Sequence, residues 1–178
     1  MEWWACVILL CVTAVLADDE SWTVRTAQGT VRGRKHSSGE LYGFYNLPYA
    51  KAPTGLDKFK APLPPPTWTE PFDATGKKRI LCPQNEELVM KTGMLPMNNK
   101  MQEDCLIANV FVPITTERNL SVLVYVHGGS FIVGYGDLIQ GTQFMKEKKD
   151  FIMVTFNYRL GIHGFLCLGT QDVPGNAG

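Results

Sequence analysis

The stretch that decides the fold is Leu120 to Tyr135, L-S-V-L-V-Y-V-H-G-G-S-F-I-V-G-Y. Val122 to Val126 is apolar and largely β-branched, broken only by the Tyr125 hydroxyl. Such a run reads as a strand buried on both faces. It stops in His127-Gly128-Gly129-Ser130-Phe131. Two adjacent glycines remove the Cβ atoms that would keep a backbone away from a partner. Gly-Gly alone would also serve an ordinary turn. After a core strand and between His127 and Phe131, it reads as consecutive backbone N–H groups aimed into a crevice. Fixed donors in a dry site are what a developing oxyanion requires.

The rest of the chain suits an α/β domain around that strand. Trp22 to Arg34 alternates polar and apolar residues about Gly29, a hairpin. Leu41 to Tyr49 is an aromatic-rich strand ended by Pro48. Pro53, Pro62, Pro64, Pro65 and Pro66 exclude regular structure through Thr67. Phe59 and Trp68 argue that this stretch is tied to the surface, since solvating them would be costly. Glu86 to Lys91 reads as a short helix. Leu106 to Val112 is a strand ended by Pro113. Gln143 to Lys149 reads as a helix with a basic end, which suits its dipole. Phe151 to Tyr158 is a second near-continuous apolar strand. Strand, helix and strand make a βαβ unit with parallel pairing. The expected fold is α/β, a small antiparallel hairpin followed by a mixed, largely parallel sheet. Phe151 to Phe156 is expected to form its unpaired apolar edge.

Composition narrows the function. The chain has 178 residues, 45% hydrophobic and 19% charged, with 17 basic and 17 acidic side chains. That is a globular composition with no basic block, so nucleic acid is not an expected partner. No run of about 18 apolar residues occurs, so no membrane span is expected. Ala5 to Leu16 is apolar apart from Thr13, and Val15-Leu16-Ala17 is a small-residue exit before Asp18, Asp19 and Glu20. This reads as a cleaved secretory leader over residues 1–17, although Glu2 stands where a basic residue is usual. Cys82, Cys105 and Cys167 remain in the mature chain. Of the three pairings, Cys82–Cys105 is preferred because it closes one loop bounded by Pro83 and Asp104. Cys167 is expected to be buried among Phe165, Leu166 and Leu168. Asn119-Leu120-Ser121 is an acceptor sequon for N-glycosylation. Met90, Met94, Met97 and Met101 suit either gap filling or a flexible wall for a ligand.

Several strings together resemble the type-B carboxylesterases, which have the α/β-hydrolase fold. They are F-Y-N-L-P-Y-A (44–50), K-F-K-A-P (58–62), E-D-C-L (103–106), H-G-G-S-F (127–131), N-Y-R-L-G (157–161), G-F-L (164–166) and D-V-P-G-N-A-G (172–178). Their order and spacing follow the family from about Trp22 to Gly178, in a style similar to secreted insect esterases. The resemblance implies that Gly129 and Ser130 supply oxyanion-hole N–H groups and that Gly128 allows close approach. Ser130 stands where many relatives have a third glycine, and a side chain there removes no N–H. Loss of one such donor would be expected to cost about 2.7–4 kcal/mol. The resemblance also places the Cys82–Cys105 loop in the wall of an active-site gorge.

None of Ser21, Ser37, Ser38, Ser121 and Ser130 lies in G-x-S-x-G. The family order is Ser, then Asp or Glu, then His, so the triad is expected beyond Gly178. His127 is expected to be a packed structural ring, His163 to lie in a loop or core, and His36 to be solvated. The resemblance thus implies the amino-terminal part of a domain that hydrolyses small-molecule carboxylic esters through an acyl-enzyme without cofactor or metal, and a chain that by itself has no turnover. The competing reading is an esterase-like adhesion or ligand-binding protein without catalysis. The Cys82–Cys105 loop contains no aromatic residue to hold a quaternary ammonium, so neutral acyl or alkyl esters are favoured over choline esters.

Overall fold

The computed structural model describes residues 20–91, 93, 100–139, 141–145 and 150–178. The expected leader over residues 1–17, Met94, Met97 and the basic end of the expected helix (146–149) lie outside the described residues.

β1 (Ser21–Thr26) and β2 (Gly29–Lys35) form the expected hairpin, with Thr26 opposite Gly29 and a two-residue connection. Gly29 has a φ of 140°, and a Cβ there would fall 2.4 Å from the Trp68 carbonyl oxygen. Glycine is therefore needed where the proline-rich segment docks. Trp68 donates its amide to Gln28 O (2.9 Å) and its indole N–H to Thr30 O (2.6 Å). Lys51 and Leu63 exchange two backbone hydrogen bonds. The segment is tied down, as its aromatic residues imply.

β3 (Leu41–Pro48) runs antiparallel to β2 and to β7 (Ile107–Pro113). The ladder with β7 is interrupted between Phe44 and Leu47. Asn46 sits in that break at a φ of 57°, its amide donating to Asn109 Oδ1 (3.0 Å). β4 (Phe72–Asp73) lies beside β2. β5 (Ile80–Leu81) and β6 (Lys100–Met101) make a separate small pair. α1 (Glu86–Lys91) falls where expected. β8 (Ser121–Tyr125) leads through α2 (Gly141–Phe144) to β9 (Phe151–Phe156), which is followed by α3 (Gly161–Phe165). The sheet order is β1-β2-β3-β7-β9-β8.

The β8–α2–β9 unit is parallel, as its sequence indicated. The expectation of a largely parallel sheet is corrected. Among the described strands β1–β2, β2–β3, β3–β7 and β7–β9 are antiparallel, while the parallel ladders are β8–β9 and the two-residue pairs β2–β4 and β5–β6. A parallel ladder needs a crossover on one face of the sheet, and β8 to β9 supplies the one long ladder of that kind.

Two further expectations change. β9 is paired on both sides, and the outer strand is β8. β8 is also not buried: Val122, Leu123 and Val124 are 59%, 42% and 54% exposed. Its apolar run is suited to cover on both faces, and among the described residues only β9 lies alongside it.

The core has two faces. Leu41, Tyr45, Phe111, Met145 and Met153 pack on one, against Tyr125, Ile139 and Phe151. Val31, Phe44 and Ala74 pack on the other. β7 buries alternate residues Ile107, Asn109, Phe111 and Pro113, the period of a strand inside a sheet.

A third cluster surrounds the cross-link. Cys82 and Cys105 are joined, both buried, and packed with Ala52 and Leu106. Their sequence separation of 23 gives the bond about 3 kcal/mol of stabilisation from the lost freedom of the unfolded loop. Cys167 is exposed rather than buried. The chain leaves α3 just before it, and the 174–175 turn comes back over it, with Pro174 O 3.4 Å from Sγ and Gly175 against its side chain.

Candidate functional site

Val126 leaves β8 exposed, and the chain then turns sharply inward. His127 is 2% exposed. Its ring stacks on Tyr158 with centroids 4.3 Å apart and planes within 15°. The Tyr158 hydroxyl donates to His127 O (2.9 Å). His127 Nδ1 lies 2.9 Å from Gly128 O. A carbonyl oxygen can only accept, so Nδ1 carries the proton. Nε2 then presents a lone pair, buried and without a partner among the described residues. Burial pushes the His127 pKa below its ordinary value, and the bond to Gly128 offsets this in part. The expected role of His127 as a packed ring holds.

The bond to Gly128 O has a second effect. In a trans peptide the C=O and the following N–H point in opposite directions. Holding Gly128 O toward the buried imidazole therefore turns the Gly129 N–H away from it. Gly129, Ser130 and Phe131 follow with φ of 119°, 54° and 61°. Gly129 O closes the turn by accepting from Ile132 N (3.0 Å) and Val133 N (3.1 Å). Among the described residues, the Gly129 and Ser130 amides have no acceptor. Two non-glycine residues in the left-handed region cost on the order of 1–3 kcal/mol each. The surrounding packing holds that strain.

The glycines divide by role. A Cβ at Gly129 would fall 1.8 Å from Val133 O, and one at Gly134 would fall 2.4 Å from His127 Nδ1. A Cβ at Gly136 would meet the Phe156 backbone at 2.5 Å. These three let the loop fold on itself and on β9. Gly128 differs: its missing Cβ faces nothing within 4 Å. The bend stands at the carboxyl ends of the parallel pair β8 and β9, with Gly161 N donating to Phe131 O (2.7 Å). Beside it is an open groove of about 850 Å³ lined by Ser130, Phe131, Ile132, Ile162, Phe165 and Leu166.

Residues without a motif of their own fix this geometry. Asn157, 2% exposed, donates to Ile80 O (2.8 Å) and Cys105 O (3.1 Å) and accepts from Gly136 N (2.8 Å). Its own carbonyl accepts from the Tyr49 hydroxyl (2.6 Å). Arg159, 3% exposed, donates to Lys58 O (3.0 Å), Lys60 O (2.9 Å) and Ala177 O. Lys58 pairs with Glu103 at 2.8 Å. Six of the strings that suggested a family are thus wired to one another. Gln84 Oε1 accepts from Gly134 N (2.8 Å) on the glycine loop, and nothing in the sequence beyond its place after Cys82-Pro83 marks it.

The sequence profile of the carboxylesterase family matches residues 20–178. The chain belongs to the carboxylesterase family. It is 40% identical over 166 residues to Esterase B1 of Culex pipiens, covering 89% of this chain and 29% of that protein. It is 41% identical over 150 residues to the para-nitrobenzyl esterase of Bacillus subtilis, covering 83% and 29%. A solved PNB esterase superposes with a TM-score of 0.77 at 36% identity, covering 88% of this chain and 32% of that one. The chain therefore has the α/β-hydrolase architecture in part, and spans about a third of the length of the relatives it matches.

Ser130 is exposed, and its hydroxyl bonds no imidazole among the described residues. Ser38 Oγ does lie 3.1 Å from His36 Nδ1. That pair belongs to the exposed β2–β3 turn, where the Ser38 amide also donates to His36 Nδ1 (3.2 Å). His36 is half-buried there, and His163 lies on α3 with its ring tilted against Phe59 at 6.3 Å. No helix among the described residues is long and apolar enough to cross a membrane.

A depressed folded-state pKa means that the unfolded chain binds the His127 proton more readily. Stability should therefore be unaffected by this group above its ordinary value of 6.5 and fall as pH drops below it, toward the folded value. Urea midpoints between pH 7.5 and 5.5 should decline in the parent. They should decline less in His127→Phe, which keeps an aromatic ring against Tyr158 and cannot titrate. Equal slopes in the two proteins would exclude the buried neutral imidazole.

Proposed function

We propose that this chain is the amino-terminal part of a secreted serine carboxylesterase and supplies the oxyanion hole of its active site. The observation that carries the reading is the pair of unclaimed amides at Gly129 and Ser130, held beside a groove by a peptide whose carbonyl is already occupied. As the ester carbonyl is attacked, negative charge gathers on its oxygen, and prepositioned donors stabilise that charge more than they stabilise the ester. Gly128, with open space where a side chain would stand, lets the substrate approach. The nucleophile, its base and the acid partner come from sequence following Gly178, in the order Ser, Asp or Glu, His. The 178 residues alone provide no turnover.

The substrate is a neutral acyl or alkyl ester. The groove is walled by Phe131, Ile132, Ile162, Phe165 and Leu166, with no charged side chain among the residues that line it. Secretion is supported by the residue 1–17 pattern and by the buried cross-link. Asn119 is exposed at a φ of 57° in the turn before β8, and an open groove beside it leaves room for a glycan. We assign it as an N-glycosylation site. Protein from a secreting host should lose mass with peptide N-glycosidase, and Asn119→Gln should abolish that loss. A mass unchanged by the enzyme in the parent protein would contradict the assignment.

Gly128→Ala separates catalysis from folding. Gly128 is outside the left-handed region and its Cβ would touch nothing. In the longer protein carrying the nucleophile, the variant should melt with the parent yet lose about a hundredfold in kcat/KM toward a p-nitrophenyl ester. Parent-like turnover would remove Gly128 from the site. Turnover by the 178-residue chain itself would overturn the reading.

A further inference from the structure

The glycine loop is gripped from a part of the chain that belongs to neither β8 nor β9. Gln84 Oε1 accepts from Gly134 N (2.8 Å), and Gln84 Nε2 donates to Gly134 O (3.0 Å) and Cys82 O (3.1 Å). One side-chain carboxamide thus pairs with both polar groups of a single backbone residue, as a neighbouring strand would. Gly134 in turn is pressed against the oxyanion loop. The space where its Cβ would stand is 2.4 Å from His127 Nδ1 and 2.7 Å from Gly128 O. These are the two atoms whose hydrogen bond sets the Gly128–Gly129 peptide plane. Movement of Gly134 must displace that bond.

The second grip enters from the other half-cystine. Asn157 bridges Cys105 O to Gly136 N. Each end of the cross-link therefore feeds one clamp, and the clamps close on residues two apart. The S–S bond holds the Cα atoms of the two anchoring residues 5.0 Å apart.

We propose that Gln84 is a positioning residue for the oxyanion loop, acting through Gly134, and that the Cys82–Cys105 cross-link holds its anchor in place. The inference rests on the reading of Gly129 and Ser130 as oxyanion donors. The cross-link then has a role beyond restraining the unfolded chain: it stiffens the two amides that meet the transition state. Asn157 is too deeply buried to test this cleanly. Gln84 is half-buried in a loop and can be changed with less harm to the fold.

Hydrogen exchange on the full 178-residue chain tests the mechanical half without any turnover. Gln84→Ala should raise exchange across residues 128–136 about tenfold, while β3 and β7 keep their protection. Gln84→Glu keeps the acceptor for Gly134 N but sets a carboxylate oxygen against Gly134 O and Cys82 O, so it should loosen the region at least as much. The Cys82→Ser, Cys105→Ser double variant should loosen the same region. Parent-like exchange at 128–136 in all three would overturn the proposal.

The catalytic half is read in the longer protein. Gln84→Ala should lower kcat about tenfold and leave KM within about twofold, since the loop acts on the transition state and not on ester binding. Gln84→Glu, whose carboxylate opposes the two carbonyls, should lower kcat at least as far, again with KM nearly unchanged. Loosened exchange with unchanged kcat would overturn the positioning role. Absence of turnover in the unsubstituted longer protein would overturn the esterase reading and the catalytic role together, while the exchange measurement still decides the clamp.

Discussion

One hydrogen bond governs the candidate site: His127 Nδ1–H to Gly128 O. It occupies the carbonyl of the Gly128–Gly129 peptide and so leaves that peptide's N–H facing away. The bond needs a proton on Nδ1, and burial disfavours a second proton on Nε2, which has no partner among the described residues. It is protected because Tyr158 covers the ring face and ties down the His127 carbonyl. The strained turn at Ser130 and Phe131 survives because Gly129, Gly134 and Gly136 let backbone pack where no Cβ would fit.

The same economy explains why separated strings of sequence belong together. Arg159 carries a buried charge with no carboxylate among its bonded partners, so it needs carbonyls, and it finds them at Lys58, Lys60 and Ala177. Asn157 satisfies its amide on Ile80, Cys105 and Gly136. Burial makes these bonds necessary, and only Arg159 Nε is left without one among the described atoms of the two side chains. Loss of any one string would strand polar groups contributed by the others.

Much of this was legible. Alternation announced the β1–β2 hairpin, a run ended by Pro113 announced the β7 strand, and a helix between two apolar runs announced the parallel β8–β9 pair. The glycines marked the turn at the carboxyl end of β8. What failed did so for physical reasons. A run such as Val122–Val126 reports that its faces suit cover, not which element provides it, so β8 looked interior and is the outer strand. Pairing direction depends on where a long connection returns, and the path from β3 to β7 leaves no local trace. Cys167 looked buried from its apolar neighbours, yet it lies just past the end of α3, where side chains can turn outward. Gln84 acts through a carboxamide that imitates backbone, and no spacing rule reports that.

The most direct measurement is a crystal structure of the longer protein with a trifluoromethyl ketone bound to its nucleophile. The ketone oxygen, tetrahedral and anionic, should lie about 2.7–3.1 Å from both the Gly129 and Ser130 nitrogens, with Gly128 O still held by His127. An oxygen bound elsewhere, with those two amides facing solvent, would contradict the central claim.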